Sequence, residues 1–492
     1  MKKIIIIGSG FGGLSAAALL AKQGHKVTVI EKNEQIGGRA SMFREKKYKF
    51  DAGPSWYLMP DVFEKFYKEL NTTPEKELDL MLLNPSYRMF FHDSEIDVTP
   101  NIEETYALFE SIEPGSAKKL EKYLKRAKYQ YETAMREFIY KEYNKLTDFF
   151  SFKLLVQGSK LNVFQNLDKY VSQNFESDKI KKILEYTMVF LGGAPKNTPA
   201  LYSIMSHIDF NQGVYYPKGG LNAVAQSMYK IGKKLGVEYK LNEPVQKIIG
   251  ERGKAKKVVT IVDSYNADIV ISNADYWHTE TQLLEKKYQT YNEKYWKKRT
   301  IAPSAFIMYI GLNKKIKGLE HHNLFLANDW MKHFNEIFEQ KRWPQEPSYY
   351  VCCPSKHDET VAPKDKENLF VLVPVAPGLR DSDEIREMYK DQILKHMEET
   401  LGTKITKHID VIKTFTHKDF AERYNSYKGT ALGLSHTLFQ TAIFRPKQKS
   451  KKLKNLYYTG GYTHPGIGVP MVIISSQILA KKIQNDLKKN NI

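Results

Sequence analysis

Apolar and polar positions divide this chain into units from its first residue. Lys2 to Ile7 is a short apolar run, followed directly by Gly8-Ser9-Gly10-Phe11-Gly12-Gly13. Leu14 to Ala21 is rich in Ala and Leu, with Gly24 where a helix should stop. His25 to Ile30 alternates polar and apolar as a strand does, and Glu31 closes the unit. Further on, Tyr48 to Trp56 reads as a strand entering a turn, and Asp61 as the cap of a helix to about Leu70. Residues 79–99 predict short strands and 101–190 mostly helix, broken by Gly192-Gly193 and Pro195. Tyr215 to Asn222 is another glycine turn, opening a helix to about Leu235. Val237 to Ile271 alternates like strands, with a turn at Glu251 to Gly253. Residues 300–312 and 368–376 predict further strands, and Phe420 to Phe444 is polar and irregular. Asn455 to Thr459 predicts a last strand, and Gly466 to Ile483 a glycine turn running into a last helix.

Strand, helix and strand in succession predict an α/β fold with a parallel sheet. The strands at the two ends of the chain are expected to share that sheet. The first domain is therefore expected to be discontinuous, comprising 1–100, 215–300 and 430–492. A helical subdomain over 101–214 and a mixed-sheet, substrate-binding domain over 301–429 complete the division. A chain of 492 residues exceeds one compact core, which agrees with several domains.

The opening glycines have chemistry to perform. Gly8 permits a tight turn, Gly10 lets the backbone approach a pyrophosphate, and Gly13 lets helix and strand pack closely. The helix start offers free N–H groups and a partial positive charge to phosphate. Glu31, with Lys32 beside it, stands where ribose hydroxyls would lie. This predicts a dinucleotide and does not choose one. Just beyond comes Ile36-Gly37-Gly38-Arg39-Ala40, a second glycine turn placed to lie along the same nucleotide.

The composition narrows the partners. Net charge is +19, but the lysines are spread along the whole chain and no nucleic-acid-binding signature occurs, so nucleic acid is not expected as a partner. Anionic lipid headgroups suit a basic surface. Aromatic residues make up 12 %, which suits a large apolar ligand or a membrane surface as well as a core. Phe149 to Val156 is conspicuously apolar and reads either as a core helix or as an interfacial element dipping into lipid. Cys352 and Cys353 are adjacent and build no disulfide framework, which fits a reducing compartment. The first strand begins almost at once, and cleavage after its apolar core would destroy the glycine motif, so no signal peptide is expected; no apolar run of about 18 residues occurs, so no transmembrane helix is expected. The expected location is cytoplasmic, with peripheral membrane contact.

The second strong feature closes the chain. Leu456-Tyr457-Tyr458-Thr459-Gly460-Gly461 leads through Tyr462-Thr463-His464-Pro465-Gly466-Ile467-Gly468 into Val469-Pro470-Met471. Pro470 suits the first turn of a helix, where its missing N–H costs nothing. That helix would point its positive end at whatever the turn holds. His464 is a candidate base, and equally a residue that shapes the turn ahead of Pro465.

The Gly37-Gly38-Arg39 turn resembles that of glutathione-reductase-type FAD proteins, with Arg39 near the pyrophosphate or the flavin. The order of motifs is more specific. Ile36 to Ala40, Phe50-Asp51-Ala52-Gly53-Pro54-Ser55, Tyr216-Pro217-Lys218-Gly219-Gly220, Ser272-Asn273-Ala274-Asp275 and Thr463 to Pro470 occur as in bacterial-type phytoene desaturases. The resemblance covers nearly the whole chain, and Gly53 to Phe63 is most similar to the phytoene desaturases themselves. It implies FAD, a long polyene substrate and peripheral membrane attachment. It implies that Gly8, Gly10, Gly13, Glu31, Gly38 and Arg39 hold the ADP and pyrophosphate, that Val245 lies near the adenine, and that Gly461, Gly466, Val469 and Met471 lie near the flavin. Some relatives carry an acidic residue after a Ser-Phe-basic triplet. Here Ser151-Phe152-Lys153 is followed by Leu154.

Desaturation asks little of side chains, because the flavin carries the hard step. No Ser-His-Asp order, HExxH helix or Cys/His metal spacing occurs, so no metal is expected, and His321-His322 is read as a loop or surface pair. No second GxGxxG follows a strand, so NAD(P)H is not expected as the regular partner. Oxygen or a membrane quinone would reoxidise the flavin. The reading is an FAD-dependent desaturase converting phytoene stepwise toward lycopene, with a ketolase, an end-group desaturase or a non-catalytic carotenoid-binding flavoprotein as alternatives.

Overall fold

The structure is a computed structural model and describes residues 1–142, 165–189 and 192–490. The apolar segment Phe149 to Val156 and the Ser151-Phe152-Lys153-Leu154 stretch lie outside the described residues.

β1 (Lys3–Ile7), α1 (Phe11–Lys22) and β2 (Lys26–Ile30) form the opening unit. β1 sits at the centre of a five-stranded parallel sheet in the order Leu456–Tyr458, Ile269–Ser272, β1, β2, Glu238–Lys240. The sheet thus draws strands from three distant stretches of chain. β1 is an unbroken isoleucine run because both its faces are covered. Ile4 and Ile6 pack against α1 and the C-terminal helix Val469–Lys488, whereas Ile5 and Ile7 pack against Tyr276, Trp296 and Tyr458 on the other side. Every residue of α1 from Phe11 to Leu20 is buried, since helices Leu221–Lys234 and Val469–Lys488 flank it.

The second sheet has seven strands: Ile409–Phe415, Ser304–Leu312, Glu367–Val375, Tyr349–Cys352, His322–Phe325, Tyr87–Phe90, Glu95–Val98. Its pairs are antiparallel except that between His322–Phe325 and Tyr87–Phe90. Ser304–Leu312 is buried along its length and sorts its side chains by alternation. Phe306, Met308 and Ile310 face helix Asp383–Leu401, and Ala305, Ile307 and Tyr309 face the other core. A three-stranded antiparallel sheet, Val245–Glu251, Lys254–Thr260 and Ser264–Asn266, turns at Arg252-Gly253 as the pattern predicted.

The short strands at 87–98 pair in the seven-stranded sheet. Alternation predicts a strand but carries no information about its neighbour. Helix Pro60–Glu69 is entered from Met59 in the left-handed region at φ 59°, and Asp61 does not cap it. With Pro60 already at the first turn, Asp61 lies inside the helix and accepts the Tyr131 hydroxyl proton at 2.8 and 2.9 Å. His321 and His322 are fully buried, not superficial, because His322 opens an interior strand of the seven-stranded sheet.

Candidate functional site

A cavity of about 900 Å³ lies off the carboxyl ends of the parallel strands and reaches the inner face of the seven-stranded sheet. In an open α/β sheet that is where ligands bind. Its lining includes Gly8, Gly10, Glu31, Lys32, Gly38, Arg39, Val245, Gly461, His464, Val469 and Met471. Gly13 and Gly466 stand behind the lining. A Cβ on Gly13 would come 2.0 Å from the Gly8 carbonyl oxygen, so this glycine serves the packing of α1 on β1. Gly466, at φ 141°, backs onto His436.

The two N-terminal glycine turns touch. Gly37 donates its N–H to the Ser9 carbonyl at 2.9 Å, and a parallel bridge joins Gly10 to Gly37. A Cβ on Gly38 would lie 3.1 Å from the Gly10 Cα. Asn273, from the Ser-Asn-Ala-Asp motif, packs over both Gly10 and Gly12. Glu31 is buried, and its carboxylate accepts the Ser9 N–H and hydroxyl at 2.8 Å and the Asn33 N–H at 3.0 Å. Lys32 turns to the Glu422 carbonyl at 2.6 Å.

Two helices start at the cavity without side-chain caps or acidic residues in their first turns: α1 from Gly10, and Val469–Lys488 from Gly468. Their unpaired N–H groups are therefore left for a ligand. Arg39 donates from Nη2 to the Ser426 hydroxyl at 2.7 Å and lies over the Tyr424 ring, but its Nε is buried with no partner. Asp275 accepts the Tyr462 hydroxyl at 2.7 Å, and burial raises its carboxyl above the usual range.

Asp51 links the two glycine-turn motifs of the chain's first half. Its carboxylate accepts the Leu221 N–H at 2.6 Å and so caps the helix that follows Gly219-Gly220. A Cβ on Gly220 would collide with it at 2.1 Å. Burial pushes the Asp51 carboxyl up to about 7 in spite of that bond.

At the C-terminal turn, His464 donates from Nε2 to the Ile139 carbonyl at 3.0 Å, which ties the turn to the end of a helical segment. Burial pushes its imidazole down to about 4, so the ring is neutral. Three more residues of this end carry no sequence signal. Buried Arg445 gives its guanidinium to main-chain carbonyls, among them Gly461 at 2.5 Å and Leu434 at 3.1 Å. His436 accepts the Ile467 N–H at Nε2, 3.0 Å, and faces the Tyr202 hydroxyl with Nδ1 at 2.9 Å. Burial and then Arg445 hold His436 neutral, so its proton sits on Nδ1. Tyr202 lies in the short 3-10 helix Ala200–Ser203 and His436 in an irregular stretch, and no periodicity marks either.

The other end of the cavity is apolar. Phe370, Leu372 and Pro374 project into it from one strand, and Ala305 and Ile307 from its neighbour. Helical side chains Phe138, Ile139, Met205 and Ile208 face them.

The comparisons with known proteins agree with this geometry. The family model described as flavin containing amine oxidoreductase matches residues 11–484. The chain is 45 % identical over 488 residues to a carotenoid 3,4-desaturase of Haloarcula japonica, covering 98 % of each. It is 33 % identical over 498 residues to a 4,4'-diapophytoene desaturase (4,4'-diaponeurosporene-forming) of Staphylococcus haemolyticus, covering 99 % of each. Among solved structures, an oxidoreductase from Methanosarcina mazei matches with a TM-score of 0.63 at 17 % identity, covering 97 % of this chain and 100 % of that one. Putrescine oxidase bound to putrescine matches with a TM-score of 0.62 at 16 % identity, covering 98 % and 99 %. The fold is thus that of the flavin-containing amine oxidoreductases, and the chain belongs to that family. Within it, the chain belongs to the carotenoid desaturases, and its cofactor is FAD.

The residues fit that cofactor. Two uncapped helix starts face one cavity, glycines stand where a Cβ would intrude on the neighbouring turn, and the Arg39 Nε is an unpartnered buried donor.

Proposed function

We propose that this chain removes two hydrogens from adjacent saturated carbons of a long acyclic carotenoid, at a 3,4-type position near the chain end. The observation that carries the reading is the single cavity whose polar end is built of glycine turns and whose far end is built of aromatic and aliphatic side chains. The identity to a carotenoid 3,4-desaturase, higher than to a diapophytoene desaturase, favours the 3,4 position. The second reading, phytoene taken stepwise toward lycopene, rests on the motif order and on the similarity of Gly53 to Phe63 to phytoene desaturases.

In this reading Gly8, Gly10, Glu31, Lys32, Gly38 and Arg39 hold the ADP and pyrophosphate, with Gly13 behind them. Val245 borders the adenine, and Gly461, Val469 and Met471, backed by Gly466, border the ring. Bound flavin supplies a hydride acceptor. The protein aligns the hydrocarbon and excludes water with the Phe370, Leu372 and Ile307 face. Neutral His464 stands at the ring end, and neutral His436, with both ring nitrogens engaged by the Ile467 N–H and the Tyr202 hydroxyl, shapes that end. Arg445, cationic beside Gly461, favours negative charge accumulating there.

The same division of the chain accompanies this reading: a discontinuous FAD domain, a substrate domain and a helical part. Electrons leave to oxygen or a quinone, and the protein attaches to a membrane from the cytoplasmic side without crossing it. Among the described residues no helix is long and apolar enough to span a bilayer. Phe439 and Phe444 are exposed, and Phe444 also lines the cavity, which supports a mouth that opens toward lipid.

The test is turnover. Holoenzyme is given phytoene, or an acyclic carotenoid saturated at the 3,4 position, in liposomes. Products are then resolved by chromatography and mass. Loss of two hydrogens from the second substrate is expected. Conversion of phytoene alone would replace the first reading by the second, and no conversion of either by protein carrying FAD would overturn both.

A further inference from the structure

The seven-stranded sheet gathers three metal-ligating side chains that no spacing in the sequence announces. His322 and Cys352 are direct partners across an antiparallel ladder, which puts them on one face with Cβ atoms about 5 Å apart. His321 lies just ahead of the strand, free of its alternation, and its ring meets that of His322 at 4.6 Å and 76°. One ligand atom from each of His321, His322 and Cys352, an imidazole nitrogen or the thiol sulfur, lies within 4.8 Å of the other two, and all three residues are buried.

The unused atoms are the second observation. His321 commits Nδ1 to His357 at 3.2 Å, and His322 commits Nδ1 to the Tyr350 hydroxyl at 2.6 Å. Nε2 of each imidazole is buried with no hydrogen-bond partner. Such an atom costs about 1–3 kcal/mol when nothing satisfies it, and two in one cluster call for a common partner. Trp56 stacks on His322 at 4.1 Å and 8°, closing the cluster from the cavity side.

We propose that His321 and His322, through Nε2, and Cys352, through Sγ, bind one soft d10 cation, Zn2+ or Cu+. Thiolate and imidazole together select such ions over Mg2+ or Ca2+, which want oxygen. The Nδ1 contacts are the outer partners that metal-bound imidazoles ordinarily keep, and they leave Nε2 as the ligand. Metal–ligand bonds of about 2.0–2.3 Å require the three side chains to draw in by about 1 Å. Binding releases the Cys352 thiol proton to solvent. The ion ties strand His322–Phe325 to strand Tyr349–Cys352 behind Trp56 and Tyr350, and so braces the apolar wall of the cavity.

The test uses the FAD-bound full chain, exposed to zinc chloride or to Cu+ under reducing conditions and then desalted. Elemental mass spectrometry should find about one ion per chain. X-ray absorption at the metal edge should show one sulfur at about 2.3 Å and nitrogens at about 2.0–2.1 Å. Cys352→Ser should lose most of the ion while keeping FAD, as judged by flavin absorbance. Cys353→Ser, whose side chain packs in the core on the other face, should keep it. Less than a tenth of an ion per chain, an edge without sulfur, or full retention in Cys352→Ser would overturn the site. If Cys352→Ser does not fold, the wild-type absorption spectrum decides.

Discussion

The two ends of the cavity are built on different principles. At the nucleotide end the backbone forms the surface: glycines bring main chain close, and two helix starts present uncapped amides. At the far end side chains form it, with Phe370, Leu372 and Pro374 alternating off one strand and Met205 and Ile208 coming from a helical region more than 150 residues away. Backbone surfaces tolerate no added atom, whereas side-chain surfaces can repack. The nucleotide end should therefore fail abruptly under small substitutions, and the far end should change in degree.

The largest effect is expected at Gly13. A side chain there meets the Gly8 carbonyl at 2.0 Å, which neither β1 nor α1 can yield without opening the turn. Gly13→Leu should purify without flavin, measured as the ratio of flavin to protein absorbance. Normal flavin content would show that the turn is more compliant than its packing indicates.

Leu372→Trp asks the opposite question at the far end. Added volume in a packed wall costs about 1–3 kcal/mol, so kcat/KM for the carotenoid should fall about 10- to 100-fold. Flavin content should stay at the wild-type level. If flavin falls as well, the two ends are one mechanical unit and the comparison breaks.

Gly38→Ala sharpens the first end. The residue sits at φ 56°, and its Cβ would lie 3.1 Å from the Gly10 Cα. Left-handed backbone costs an L-residue about 1–2 kcal/mol, so FAD should bind about tenfold more weakly in a fluorescence titration of the apoprotein. Unchanged affinity would mean that the second turn does not approach the cofactor.

The same difference governs what could be read from sequence. Gly8, Gly10, Gly13, Gly38 and the turn from Gly460 to Pro470 stand out in the sequence because backbone chemistry demands one residue type at fixed spacing, and all of them lie in or behind the lining of one cavity. The apolar wall does not, because Leu372 or Met205 is an ordinary core residue until the fold sets it opposite the others. Tyr87–Phe90 looked like a strand, but nothing local says that its neighbour is His322–Phe325, more than 200 residues on. His321 and His322 were misread for the same reason, since burial of a polar pair depends on a sheet assembled from afar. Asp51 was legible as part of a motif, but its function as the cap of a helix beginning at Leu221 appears only in three dimensions.

Asp51 stands where the two ends meet, with Ala52 and Gly53 in the cavity lining, and it yields the smallest and most specific effect. Burial pushes its native pKa from an ordinary 3.8 up to about 7, against the pull of the Leu221 and Asn222 amides. Below pH about 4 the carboxyl is protonated in both folded and unfolded chains. Between about 4 and 7 the unfolded chain has released a proton that the native chain keeps, so wild-type stability falls as pH rises through that window. Above about 7 both are ionised, and the contribution is constant. Asp51→Asn has no proton to exchange, so the Tm of the variant relative to wild type should rise between pH 5 and 7.5, on the order of a degree or two, and then level off. Thermal unfolding of both proteins across that range reads the sign directly. A wild type that gains on the variant as pH rises would mean that the amides of the Gly219-Gly220 turn outweigh burial, and that this junction is held by charge.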